Sequence, residues 1–114
     1  MTYTNRDFKY STERFWVKAS IADAPIETGE VAQLSGSSVS AKDKDGTDCS
    51  TTFLDQSTIV ITDTPDRDET TDTALAIIVR NGSATKSPYT ITFTVQTTLG
   101  QIFVVQQTMM VKVL

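Results

Sequence analysis

The 114-residue sequence contains no histidine and a single cysteine. The first absence removes Ser-His-Asp and Cys-His nucleophilic devices, and with them the commonest transition-metal ligand. The second forbids an intrachain disulfide, and a disulfide-stapled secreted module is not expected. Cys49 has Asp48 beside it, an anion that opposes thiolate formation, so it reads as a small buried or half-buried residue rather than a nucleophile. Apolar runs fall short of the ~18 residues of a membrane helix. The opening Met-Thr-Tyr-Thr-Asn-Arg has no apolar core of a signal peptide, so no secretion signal is expected and assembly in a cytoplasm is the simplest route. Five glycines form neither standard phosphate-binding spacing. No enzyme activity, cofactor or membrane partner is expected.

Leucine and glutamate are scarce, while threonine, valine and isoleucine are plentiful. β-Branched side chains lose rotamer freedom in helices and pack well on pleated sheets, so the composition predicts an all-β domain. The length suits one domain, large enough to hide roughly two-thirds of its unfolded surface without a metal or a disulfide.

Net charge is −4 and the pI near 4.6, which disfavours nucleic acid as a partner. Residues 1–20 carry four bases against two acids, and residues 21–73 twelve acids against three bases. Residues 74–114 carry three bases and no acid. The acidity belongs to the middle of the chain.

Residues 1–14 show neither strand alternation nor helical spacing. Tyr3, Phe8 and Tyr10, with Phe15 and Trp16 beyond, gather more than half of the aromatics there. Solvated tails are poor in aromatics and interfaces rich in them. Two readings follow: an extended docking arm reaching ~45 Å, or a segment folded back over its own domain. The domain proper is expected over residues 15–114.

Phe15, Val17, Ala19 and Ile21 alternate with Trp16, Lys18 and Ser20, which predicts a first strand. Strands are also expected over 30–34, 39–42, 49–54 and 58–62. Residues 62–73 read as an acidic loop. Residues 74–80 are apolar on both faces, as in a central strand. The last third reads as a long hairpin, Tyr89, Ile91, Phe93 and Val95 opposing Thr90, Thr92, Thr94 and Gln96, with Gly100 in the turn. In the return strand Gln107 shares a face with Phe103, Val105, Met109 and Val111, while Ile102, Val104 and Met110 lie opposite. Either a β-bulge near Gln106 and Gln107 or a neighbouring subunit over the second face accounts for this. About seven short strands separated by turn signals predict an immunoglobulin-like antiparallel β-sandwich.

Calcium is the one ion worth weighing, because Asp43, Asp45 and Asp48 surround a glycine and Asp63, Asp66, Asp68, Glu69 and Asp72 form a second cluster. Neither has the helix-flanked twelve-residue spacing. Acidic loops that keep sheet ends soluble are the favoured reading.

The C-terminal half carries a further pattern: an apolar strand ending in a loop (Ala76 to Ser83), Tyr89 to Thr98, the Gly100 turn, and a closing strand. With the Gly36–Leu54 segment and its Asp45-Gly46 turn, it resembles small immunoglobulin-like virion proteins of tailed bacteriophages, including fibre–tail adaptors. That group often closes on a more basic strand, whereas Met109, Met110 and Leu114 make this one apolar. The resemblance implies a structural virion protein, made in the host cytoplasm, that docks on tail or neck components and assembles in a homo-oligomeric array. Capsid decoration is an alternative, and so is a carbohydrate- or cell-surface-binding module with Trp16 and the tyrosines as a stacking platform. Interface candidates are Tyr3, Phe8, Tyr10, Phe15, Trp16, Ile102, Val104, Met110 and Leu114.

Overall fold

The computed structural model describes residues 6–63 and 72–113. Seven strands form: β1 (Phe8–Tyr10), β2 (Phe15–Ser20), β3 (Ala32–Lys42), β4 (Leu54–Thr62), β5 (Ala74–Val79), β6 (Tyr89–Thr97) and β7 (Ile102–Lys112). A short 3-10 turn, Ala84–Lys86, precedes β6. The strands make two sheets, ordered β1-β7-β6-β3 and β2-β5-β4. Every strand pair is antiparallel except β1 with β7, which is parallel. No helix among the described residues is long and apolar enough to cross a membrane.

The alternation along the chain decides which side chains meet between the sheets. Val17, Leu75 and Ile77 from one sheet and Ile91, Phe93 and Val95 from the other are fully or almost fully buried. Phe53 stacks on Tyr89 with ring centroids 4.1 Å apart and planes 2° from parallel. β2, β5 and β4 take the B, E and D places of an immunoglobulin-type sandwich, and β7, β6 and β3 the G, F and C places. Tyr89, at the start of β6, accepts a hydrogen bond on its hydroxyl from the Ser83 N–H at 2.9 Å. This reproduces the tyrosine corner of such folds. Ile91, two residues on, stands where antibody domains carry the second cysteine of their inter-sheet disulfide.

Several sequence expectations are corrected. The strands expected over 30–34 and 39–42 are one strand, β3, whose register with β6 shifts between Gln33 and Ser38. Gly36 makes this continuity possible: its φ is +82°, and a Cβ there would lie 1.9 Å from Gln96 Oε1. The segment 49–54 is mostly a turn, closed by Phe53 N–H to Cys49 O at 2.8 Å. β4 starts at Leu54 and runs through the expected 58–62 strand, with an irregularity between Asp55 and Val60. No bulge occurs near Gln106 and Gln107: β6 and β7 pair residue for residue from Tyr89–Met109 to Gln96–Ile102. Gln107 faces inward and donates from Nε2 to Arg6 O at 2.7 Å.

The described part of the expected arm is laid back on the sandwich. Phe8, Lys9 and Tyr10 pair with Met110, Val111 and Lys112. Alternation hid this strand because its inward residue is Lys9, which is completely buried. Its Nζ donates to the carbonyls of Tyr10 at 2.8 Å, Ser11 at 3.2 Å and Asn81 at 2.5 Å. Burial lowers its pKa, by disfavouring the ammonium form. Asn81 presents its carbonyl from a left-handed conformation, φ 56°. One buried cation thus ties β1 to the corner that follows β5.

Candidate functional site

Three surfaces collect the interface candidates, and the structure keeps them apart. The first is the aromatic cluster at β1. Arg6 donates to both Glu13 carboxylate oxygens, at 3.2 and 2.9 Å. Its guanidinium carbon lies 4.7 Å from the Phe8 ring centroid and 4.4 Å from that of Phe15. Phe8 meets Tyr10 edge-on at 5.9 Å, and Lys112 Nζ stands 4.5 Å over the Phe8 ring. Glu13 also accepts from the Tyr10 N–H at 2.8 Å. Its carboxyl is held below the usual range, chiefly by the Arg6 hydrogen bonds and then by that amide. Phe8, Tyr10 and Phe15 are therefore engaged within the chain, bracing the edge of one sheet against the other. Tyr3 lies outside the described residues, as does Leu114.

The second surface is the outward face of β7. Ile102 is 59% exposed, Val104 62% and Met110 43%, and Leu99 in the hairpin turn is 63% exposed. Their cross-strand neighbours on β6 are Gln96 for Ile102 and Thr94 for Val104. No charged residue occurs between Lys86 and Lys112. On this face Gln106 and Thr108 separate Ile102 and Val104 from Met110, and Lys112 and Lys42 stand toward the far end, so the uncharged apolar part is Ile102 and Val104 beside Leu99, neighboured by amides and hydroxyls.

The third is a shallow depression of about 300 Å³ on the outside of the smaller sheet, lined by Trp16, Lys18, Val60, Thr62 and Ala76. Lys18 and Val60 are the cross-strand neighbours of Ala76, so a small residue on the central strand forms the floor and longer ones on the edge strands the walls. Trp16 is 45% exposed there. Tyr10 belongs to the other sheet and Tyr89 is buried. Among the described residues, then, Trp16 has no tyrosine beside it, and the expected shared stacking platform does not form.

The first acidic cluster is also dispersed. Asp43 Oδ1 accepts from the N–H groups of Asp45 at 2.9 Å and Thr47 at 3.1 Å. Asp45 pairs with Lys86 at 3.1 Å. Asp48 Oδ1 accepts from the Ser50 N–H at 2.8 Å and hydroxyl at 2.5 Å, which lowers its pKa, the hydroxyl contributing most. The carboxylates that were candidates for calcium organise their own turn. No group of three His, Cys, Asp or Glu side chains among the described residues is placed to hold a metal ion. Of the second cluster, Asp63 accepts from the Asp72 N–H at 3.1 Å, and Asp66, Asp68 and Glu69 lie outside the described residues. Cys49 is half-buried, and burial, with Asp43 and Asp48 nearby, pushes its thiol pKa up.

Sequence reasoning missed two polar anchors besides Lys9. Glu30 is almost completely buried. It accepts from the Thr97 hydroxyl, from Gln101 Nε2 at 2.9 and 3.0 Å, and from the Glu27 N–H at 2.8 Å. These bonds hold its pKa down, Thr97 most of all. Asp55 accepts from the Ser57 hydroxyl at 2.6 Å and from Arg14 at 2.6 Å, and lies 3.7 Å from Arg80. Its pKa is lowered to about 2, with Ser57 the largest cause and Arg14 next. Glu30 fastens the loop after β2 to the base of the β6–β7 hairpin, while Asp55 joins β4 to the chain before β2 and after β5. Each has one partner close in sequence, Glu27 for Glu30 and Ser57 for Asp55, but the partners that join separate parts of the fold, Thr97 and Gln101 for Glu30 and Arg14 and Arg80 for Asp55, lie far along the chain.

No protein-family model, curated protein or solved structure matches the chain.

Proposed function

We propose that the chain is a non-enzymatic structural protein of tailed-phage virions, an immunoglobulin-like module that docks on tail or neck components as fibre–tail adaptors do. The observation that carries this reading is the exposed apolar group at the hairpin end of the larger sheet, Ile102 and Val104 with Leu99 at the turn, and Met110 farther along the same face. Exposed apolar groups aligned on a rigid strand suit permanent contact with another protein. The resemblance of the C-terminal half to small virion modules supplies the setting. The partners are other virion proteins, and the docking surface is the larger sheet.

Mass spectrometry of purified particles separated into head and tail fractions tests the proposal. The expected result is this chain in the tail fraction at a fixed stoichiometry. Its presence in heads alone makes it a capsid decoration protein, and its absence from particles refutes the virion reading. The depression beside Trp16 favours a second reading, a glycan-binding module, because an exposed indole next to lysine and threonine suits stacking against a sugar ring. A glycan array without hits would end that reading.

A further inference from the structure

Asn81 and Gly82 form the corner between β5 and the 3-10 turn, and the fold calls for both residues. Asn81 is held at φ 56°, a left-handed conformation that asparagine tolerates better than most side chains. Gly82 has φ +98°, and a Cβ there would lie 2.9 Å from Phe53 Cε1 and 3.0 Å from Val111 Cγ2. An asparagine followed by glycine is also the pair whose side-chain amide is most open to attack by its own main chain. The Gly82 nitrogen and the Asn81 Cγ close a small ring, and residue 82 has no side chain to crowd the approach.

The surroundings of this pair favour that attack. Asn81 O, which accepts from the buried Lys9 Nζ at 2.5 Å, belongs to the same amide as the Gly82 N–H. When Gly82 loses its proton, the charge left on the amide gathers largely on this oxygen, against an ammonium. A hydrogen bond to the charged form favours it, so Lys9 acidifies the Gly82 N–H. Among the described residues none accepts from that N–H, and no bond must be broken to free the nitrogen. The Asn81 side chain is exposed, donating from Nδ2 to Thr52 O at 2.8 Å, so water reaches it. Asp45-Gly46, a dipeptide open to the same ring closure, is placed differently. There the Gly46 N–H donates to Asp43 O at 3.0 Å, and the Asp45 carboxylate pairs with Lys86.

We propose that Asn81 is a self-modifying site, which Lys9 activates and directs toward isoaspartate. The Gly82 nitrogen gives its proton to solvent and bonds to Asn81 Cγ. The Cγ–Nδ2 bond breaks, and Nδ2 takes a proton from solvent and leaves as ammonia. Water then opens the cyclic imide. Lys9 polarises the former main-chain carbonyl, so water adds at that carbon and its bond to the Gly82 nitrogen breaks. The nitrogen takes up a proton and keeps its new bond to Cγ. The chain now runs through the side-chain carbon, one methylene longer, and the old main-chain carbonyl has become a carboxylate facing the Lys9 ammonium. A buried cation whose three hydrogen bonds go to carbonyls thereby gains an anion. The sequence of steps consumes only water, and it stands independently of the virion reading.

Peptide mapping by mass spectrometry, with labelling by an isoaspartate-specific methyltransferase, tests it on the purified full chain incubated in neutral buffer. Residue 81 is expected to gain one mass unit and the methyl label faster in the folded chain than in the same chain unfolded in guanidinium chloride, where Lys9 and Asn81 are apart. Asp45 is expected to stay unlabelled in the folded chain. Lys9→Met, kept under conditions where circular dichroism shows it folded, is expected to slow the conversion by roughly tenfold or more, the worth of a hydrogen bond to a charged group. Its isoaspartate share is expected to fall to that of the unfolded chain. Conversion that is slower in the folded wild-type chain than in the unfolded one overturns the proposal, since the corner then protects Asn81, and this comparison needs no variant. So does a Lys9→Met chain that converts as fast as the wild type, or a folded chain whose product holds no more isoaspartate than the unfolded chain's.

Discussion

Replacing Lys9 by methionine sets hydrogen bonding against desolvation at one buried atom. The ammonium is fully buried and donates to three carbonyls, of Tyr10, Ser11 and Asn81. Methionine keeps the unbranched apolar stem and removes every donor. A hydrogen bond to a charged group contributes ~1.5–3 kcal/mol, and a buried carbonyl left without a partner costs ~1–3 kcal/mol. Against this stands relief from burying an ion, several kcal/mol in a dry site. Three bonds against one ion leave a net loss of about 2–3 kcal/mol, and for a chain of this length Tm falls by roughly 8–12 °C. Thermal and urea unfolding at neutral pH measure the loss, with m held constant as the check that the denatured state is unchanged. The pH dependence gives a second reading. The folded pKa of Lys9 lies below its unfolded value, so between the two the native chain binds fewer protons than the unfolded one. Stability from this group therefore rises with pH through that window, and Lys9→Met abolishes the rise. An unchanged or higher Tm in the variant refutes the reasoning, because desolvation then outweighs the three bonds.

Tyr89→Phe removes the hydroxyl that receives the Ser83 N–H and is expected to cost about 1 kcal/mol in urea unfolding, with Phe53 stacking retained. Gly36→Ala is expected to destabilise by ~2 kcal/mol or more, since the left-handed φ is compounded by the clash with Gln96. Gly46→Ala, equally left-handed but open to solvent, loses ~1 kcal/mol, and equal losses at the two sites would refute the role given to Gln96. Glu30 and Asp55 both have folded pKa values below their unfolded ones, so their stabilisation is present above ~4 and lost as pH falls through the folded values. Glu30→Gln and Asp55→Asn should each flatten the acid limb of the wild-type curve, measured as urea midpoints from pH ~5 down to ~2.

How much of this was legible in the sequence depended on whether one element settled the matter by itself. β6 was read residue by residue, because its buried Tyr89, Ile91, Phe93 and Val95 alternate with hydroxyls and an amide. β5 announced itself as a central strand through apolar residues on both faces. β3 reads in sequence as two strands because Ser35, Gly36 and Ser37 resemble a turn, whereas a positive φ at Gly36 lets the strand shift and continue. β1 went unseen because Lys9 faces inward, and a buried lysine satisfied by carbonyls looks in sequence like a solvated one. The aromatic residues of the amino-terminal segment read equally as a docking arm or as a segment folded back, and Arg6 and Glu13 direct Phe8 and Phe15 to the chain itself. The outward placement of Ile102, Val104 and Met110 followed from parity alone. That of Trp16 on the opposite sheet required the topology.

The parallel pairing of β1 with β7 also decides how the domain bears load. Phe8 and Lys112 lie at opposite ends of one short pair whose strands run the same way. Tension applied across them pulls the two strands past each other lengthwise, and the hydrogen bonds of the pair share the force instead of unzipping one at a time. The Lys9 ammonium, fastened to Asn81 from inside, opposes the same sliding. The strand that looks least like structure is therefore the one that resists pulling first, with the corner after β5 sharing the force through Lys9.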